Sequence, residues 1–293
     1  MSAKAKHFMV IGLISASVLY TRTSMNDMNS PAQRPVHLAH KVLSKVPEVT
    51  TFFWITKILT TGMGETTSDY ITHILPPVVA VLFAGIGLTG SLLLQFKVRR
   101  YIPWVYWLAV VMVSIFGTMA ADVLHVVLGV PYLLSTTFFV IVLTTIFILW
   151  QKSEKTLSIH SIHTPRRELF YWATVMATFA LGTATGDMTA TTMHLGYLSS
   201  GILFAMLIAV PALAHWRLSL NAIFAFWSAY ILTRPLGASF ADWMGVSYAR
   251  GGLSLGTGPV SLVLLVLIAC CVGYLAITHE DVEEVHNKGN TTG

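Results

Sequence analysis

Four aspartates stand out because their setting repeats. Asp69, Asp122, Asp187 and Asp242 each follow a glycine by five positions and a tryptophan by fifteen, giving Trp54–Gly64–Asp69, Trp107–Gly117–Asp122, Trp172–Gly182–Asp187 and Trp227–Gly237–Asp242. Residues three or four apart share a helix face. On that basis Glu65, Asp69 and His73 form one polar stripe, and Thr118, Asp122 and His125 a second. Thr183 and Asp187 form a third with His194 two turns on, while the fourth copy has Ala238 before Asp242. Carboxylate and imidazole together suit a divalent ion such as manganese, iron or zinc, and the absence of an accompanying cysteine or methionine cluster disfavours copper. The expected cation or substrate site is therefore Glu65, Asp69, Asp122, His125, Asp187 and Asp242. Glu65, Asp69, Asp122 and His125 are the candidate metal ligands. His73, Thr118, Thr183, His194, Lys57 and Arg234 are expected to support them.

The elements that carry these residues must cross a membrane. Charged residues make up 11% of 293 positions and hydrophobic residues 55%, against roughly 25% charge in a soluble domain. Apolar runs of about 20 residues recur, the length that spans the hydrocarbon core, and backbone groups left without water there require helices. The formal charge of +5 resides mostly in short connections, as membrane orientation demands, and gives no hint of nucleic acid. Eight spans are expected, near 50–72, 76–96, 102–126, 131–150, 168–192, 196–215, 218–243 and 257–278. The connections at 97–101, 151–167 and 216–218 hold Lys97, Arg99, Arg100, Lys152, Lys155, Arg166, Arg167 and Arg217, whereas the alternate ones hold only Arg250. The basic connections are thus expected in the cytoplasm, with Lys41 and Lys45 before the first span in agreement.

The chain is organised around its repeat. Eight tryptophans in the whole sequence make three coincident spacings a chance of roughly 2 in 100,000. Each copy joins one motif-bearing span to the span after it, and all four run in the same direction. The expected domains are an extension over 1–44, a membrane domain over 45–278 with copies near 45–96, 97–150, 165–215 and 216–278, and a cytoplasmic tail over 279–293. Within the extension, Phe8–Tyr20 is an apolar run like a signal-peptide core. Parallel copies that must bury the same acid predict an all-α bundle of eight transmembrane helices in pseudo-fourfold arrangement. Its four odd-numbered spans turn their aspartates to a common centre. The adjacent Cys270 and Cys271 read as small packing residues.

This pattern resembles the bacterial membrane-protein family defined by a tandem repeat of unknown function, domain of unknown function 347. The spans Val46-Pro47-Glu48-Val49-Thr50 and Thr233-Arg234-Pro235-Leu236-Gly237-Ala238-Ser239 look typical of it. The resemblance covers about 45–278 and implies two membrane helices per repeat and a multi-pass protein of the bacterial inner membrane. It implies nothing about activity.

Within the spans, Glu65, Asp69, Asp122, Asp187 and Asp242 face only Lys57 and Arg234, an excess of three acids. Buried acids must be paired, protonated or bound to a metal. Lys57 and Arg234 are read either as internal counter-ions that replace a cation or as side chains that snorkel to the boundary. The motif glycines, Gly64, Gly117, Gly182 and Gly237, either let helices approach closely or break them to expose carbonyls. The tryptophans, Trp54, Trp107, Trp172 and Trp227, either pack and anchor or stack on a substrate. The leading expectation is a transporter that binds a cation, with a divalent metal such as manganese as cargo. The alternatives are a proton-coupled carrier of a small organic solute, a membrane-embedded metal-dependent enzyme, and a sensor or scaffold. The bilayer and the cation or solute are the expected partners, self-association is left open, and no resident cofactor is required.

Overall fold

A computed structural model describes residues 44–281. The extension with its apolar run, Lys41, and the tail beyond 281 lie outside the described residues. Within them the chain forms eight α-helices and, apart from short π and 3-10 turns, no other regular element. They are α1 (Thr51–Ile74), α2 (Pro77–Lys97), α3 (Pro103–Asp122), α4 (Tyr132–Glu154), α5 (Pro165–Asp187), α6 (Tyr197–Leu218), α7 (Ala222–Gly245) and α8 (Thr257–Thr278). Local chemistry sets several starts. Thr50 caps α1 by accepting from Phe53 N at 3.2 Å, Thr164 caps α5 by accepting from Arg167 N at 3.3 Å, and prolines open α2, α3 and α5. Proline is preorganised for a first helical position and lacks a donor that would go unpaired there. The expected span over 131–150 runs on to Glu154, because charged residues leave the apolar stretch without leaving the helix.

Five helices, α2, α3, α4, α6 and α8, are long and apolar enough to cross a membrane. The remaining three, α1, α5 and α7, match them in length, at 24, 23 and 24 residues. They fall short in hydropathy because they carry polar groups inward: Lys57, Glu65, Thr183, Arg234 and Asp242 are all buried. The outer helices show the opposite pattern, with Val78, Ile86 and Leu133 at least two-thirds exposed.

The packing explains this division. α1 packs against α3, α3 against α5, α5 against α7, and α7 returns to α1. Each even-numbered helix lies against the odd helix of the following copy: α2 on α3, α4 on α5, α6 on α7, and α8 back on α1. The two helices of a copy scarcely touch each other, so a copy is a sequence unit and not a packing unit.

The motif glycines are where the inner helices meet. A Cβ on Gly64 would lie 1.7 Å from Ser114 Oγ; on Gly117, 2.7 Å from Phe179 Cβ; on Gly182, 2.2 Å from Arg234 Cγ; and on Gly237, 1.8 Å from Thr61 Oγ1. Each glycine thus receives the side chain three positions before the motif glycine of the next copy, and the last contact returns to the first helix. All four helices run unbroken through these glycines, so of the two sequence readings close packing is the one observed. Helix breaks do occur elsewhere. Directly after Asp122 and Asp187 the backbone widens into π turns, Val123–Val127 and Met188–Thr192, whereas α1 and α7 stay regular past Asp69 and Asp242.

Candidate cation site

Four layers stack along the centre of the inner helices, starting from the tryptophan end. Trp54, Trp107, Trp172 and Trp227 are all buried. Each touches the aromatic that precedes the tryptophan of the copy before it: Phe53 with Trp107 at 5.8 Å between ring centroids, Tyr106 with Trp172 at 5.6 Å, Tyr171 with Trp227 at 6.3 Å, and Phe226 with Trp54 at 5.7 Å. The hydroxyls of Tyr106 and Tyr171 meet at 2.5 Å. These eight rings close one end of the bundle. The tryptophans are core residues of that closure, neither facing outward as boundary anchors nor lining the cavity at the far end.

Lys57 comes next. It is 1% exposed, and its Nζ has no hydrogen-bond partner. Ring faces hold it instead, Phe179 at 4.0 Å and Tyr230 at 4.2 Å, an arrangement that stabilises a cation electrostatically. The snorkelling reading is therefore replaced by an internal basic side chain, for Lys57 and equally for Arg234.

Arg234 forms the third layer. Its Nη2 donates to Glu65 Oε2 at 2.6 Å, to Thr183 Oγ1 at 2.6 Å and to Thr118 Oγ1, while Nη1 donates to the Thr61 carbonyl at 3.3 Å. Its side chain is fully buried. Glu65, Thr118 and Thr183 occupy the position four before the motif aspartate in the first three copies. Ala238 holds that position in the fourth, and Arg234 comes from the turn before it. One guanidinium thereby joins all four copies. Thr118 and Thr183 also donate to Glu65 Oε2, at 3.5 and 3.4 Å. The hydrogen bonds thus gather on one carboxylate oxygen, Oε2, of a residue that also lines the cavity.

The fourth layer is that cavity. It encloses ≈ 210 Å³ and is lined by Glu65, Asp69, Asp122, Asp187 and Asp242 together with Thr72, Tyr132, Thr191, Tyr197 and Arg250. All four motif aspartates therefore reach one space. Among the described residues, Glu65, Asp187 and Asp242 bring ligand oxygens within 4.8 Å of one another. Asp242 is 6% exposed, and the hydrogen bond it accepts among the described residues is at its backbone carbonyl, from Val246 N at 2.8 Å, and not at its carboxylate. Ser68 Oγ donates to Asp122 Oδ2 at 3.4 Å. At the rim, Arg250 Nη2 donates to the Tyr197 hydroxyl at 2.8 Å.

The expected metal quartet is corrected by this geometry. His125 does not line the cavity. Its Nδ1 meets the Val130 carbonyl at 3.1 Å, its Nε2 meets Ser135 Oγ at 3.3 Å, and its ring lies 4.0 Å from that of Tyr132. The π turn after Asp122 carries His125 off the stripe that a regular helix would have made. His73 and His194 are exposed and stand outside the lining as well. The carboxylates alone remain, and the close group draws on the first, third and fourth copies. Sequence reasoning missed Arg250, Tyr132 and Tyr197, which come from connections or their edges and lie outside the motif spacing. It also missed the aromatic before each tryptophan, which aligning the four copies one position further back would have found.

Further polar contacts tie the tryptophan end away from this axis. Lys45 Nζ lies 2.6 Å from Glu168 Oε2, and Gln95 Nε2 donates to Glu168 Oε1 at 3.0 Å. Tyr101 donates its hydroxyl to Asp281. With Lys45 Nζ also donating to the Phe96 carbonyl at 3.2 Å and Glu48 N donating to the Asp281 carbonyl at 3.0 Å, the segment before α1 is held to α2, to α5 and to the residues just after α8.

No curated protein and no solved structure matches the chain. A family model, the repeat of unknown function DUF347, matches four times, at residues 52–101, 105–156, 170–220 and 225–281. Each match holds one odd helix and the even helix after it, and together they take in every motif tryptophan, glycine and aspartate; the chain therefore belongs to the family built from the DUF347 repeat.

Proposed function

We propose that this protein is a multi-pass transporter of the bacterial inner membrane whose cavity binds a cation, with a divalent metal such as manganese as cargo. All eight helices span the bilayer in this reading. The basic connections lie in the cytoplasm, and the four copies form a pseudo-fourfold bundle around the carboxylate cavity. The cyclic contacts among inner helices support the bundle. So does the position of the three less apolar helices, whose polar residues point inward.

The observation that carries the functional reading is the convergence of Glu65 and all four motif aspartates on one cavity, with oxygens of Glu65, Asp187 and Asp242 within 4.8 Å of one another. An all-oxygen set suits manganese or magnesium better than the softer metals. Five acids gathered against Arg234, which is paired with Glu65, and Arg250 at the rim leave an excess of negative charge, which at membrane depth calls for a cation or protons. In this orientation the cavity opens to the outer face and the aromatic layer closes the cytoplasmic end.

The test is uptake of Mn²⁺ into proteoliposomes, read by a metal-quenched internal dye, together with elemental analysis of the purified protein. Metal-dependent quenching that Asp187→Asn or Asp242→Asn abolishes, while the protein stays folded, supports the reading. A wild-type protein that neither binds nor moves Mn²⁺, Zn²⁺ or Fe²⁺, in mildly acidic or mildly alkaline buffer, overturns the metal cargo. Arg250 at the rim favours a second reading, because a guanidinium beside acids suits a small organic solute carrying both charges. A proton-coupled carrier of such a solute would then replace the metal transporter.

A further inference from the structure

Arg234 lies behind the cavity lining, against Glu65, a carboxylate that a cargo cation in the cavity would also reach. Its Nη2 sits 2.6 Å from Glu65 Oε2, and Glu65 is one of the three residues whose oxygens converge. The other two, Asp187 and Asp242, have no arginine or lysine within ion-pairing distance among the described residues, and Asp242, 6% exposed, accepts a hydrogen bond there at its backbone carbonyl, from Val246 N, but none at its carboxylate. The positive charge of Arg234 is thus committed to one acid of the cluster. The same guanidinium also holds Thr118, Thr183 and the Thr61 carbonyl, so it fastens α1, α3, α5 and α7 to each other at a single point. Below it Phe179 separates it from Lys57, with Arg234 Cζ at 5.2 Å and Lys57 Nζ at 4.0 Å from the ring centroid. A displaced guanidinium therefore meets the Phe179 ring and the Lys57 side chain beneath it, which stand in the way of a straight withdrawal toward the tryptophan layer.

We propose that Arg234 is a tethered competitor for the cargo. A cation entering the cavity and the guanidinium draw on the same carboxylate, so binding at Glu65, Asp187 and Asp242 weakens the Arg234–Glu65 pair and loosens a junction that fastens all four inner helices at the cavity end. Arrival of cargo is in this way coupled to release of the bundle, and a return to the paired state ejects the cation. A divalent ion competes better than a monovalent one, because its attraction to the three carboxylates is doubled while the guanidinium stays singly charged. This inference rests on the cation-binding reading above and assigns its coupling element.

The experiment is Mn²⁺ titration of the full chain in detergent by isothermal calorimetry. Three variants are compared with wild type: Arg234→Gln, Arg234→Lys, and the double variant Thr118→Val with Thr183→Val. Removing the charge is expected to tighten Mn²⁺ binding about tenfold or more, since a like charge a few ångströms away is then gone. Lysine keeps the charge and is expected to bind close to wild type. The two valines leave every charge in place but strip the guanidinium of two anchors, and binding is expected to tighten by a smaller factor. The double variant also carries the test if Arg234→Gln does not fold. Unchanged or weaker binding in Arg234→Gln or, where that does not fold, in the double valine variant, with wild type binding normally, overturns the competitor role and leaves the cation site standing. Lysine behaving like glutamine would make the fork structural and overturn it too. A wild type that binds no Mn²⁺ overturns both.

Discussion

The Glu65–Arg234 pair should reveal itself in stability before any transport is measured. The perturbation is Glu65→Gln, which keeps the side-chain shape and one acceptor oxygen but leaves a fully buried guanidinium without its counter-charge. Exposure is 0% for the arginine side chain and 5% for the glutamate, so solvent cannot compensate. Removing one partner of a buried pair typically costs about 3–5 kcal/mol. Thr118, Thr183 and the Thr61 carbonyl still hold the guanidinium, which places the expected loss at the lower end, about 3 kcal/mol. For a chain of this size that corresponds to a fall in Tm of roughly 6–12 °C. The assay is thermal melting in detergent with a chelator present, so that metal binding does not intervene. Glu65→Gln, Arg234→Gln and the double variant complete the cycle. Because the double variant removes both charges, it should melt well above the sum of the single losses, with a coupling of about 2 kcal/mol. Additive losses, or a Glu65→Gln protein that melts like wild type, would refute the claim that this pair organises the centre.

Other consequences follow from the same packing. Gly237→Ala puts a methyl 1.8 Å from Thr61 Oγ1 and 3.0 Å from the Ile58 carbonyl and should destabilise by about 1–3 kcal/mol. Gly90→Ala, where a Cβ meets nothing within 4 Å, should melt like wild type in the same assay. Trp107→Ala should lower stability by about 3–5 kcal/mol by opening a hole in the aromatic closure, without altering Mn²⁺ affinity measured on the folded fraction. In intact cells, a cysteine at position 250 should react with an impermeant reagent and one at position 155 should not; the reverse pattern contradicts the proposed orientation.

The inner architecture was legible in the sequence because one feature recurs at fixed spacing in four places. A tryptophan, glycine and aspartate fifteen residues apart from first to last define the copies, and a buried acid repeated four times has few places to go except a shared interior. The four aspartates do share a cavity. What escaped was whatever depends on partners between copies. Nothing in α2 or α4 alone says that each packs on the odd helix that follows, since an apolar face fits either neighbour. Arg234 could not be matched to Glu65 from spacing, because the pair joins residues 169 apart. It also sits one turn before the position that Glu65, Thr118 and Thr183 share, in the copy where Ala238 leaves room. His125 was misplaced for a local reason. A stripe argument assumes a regular helix, and the π turn beginning at Val123 shifts the face on which His125 lies.

The central claim is that the carboxylates act as one cation site and not as four separate props for their own copies. Mn²⁺ titration of wild type, Asp187→Asn, Asp242→Asn and the double variant, each first shown to be folded, tests it most directly. A shared site predicts that either single change removes nearly all of the binding and that the second adds little, because one broken ligand set cannot be broken twice. Wild-type Mn²⁺ affinity retained in both single variants would contradict the account.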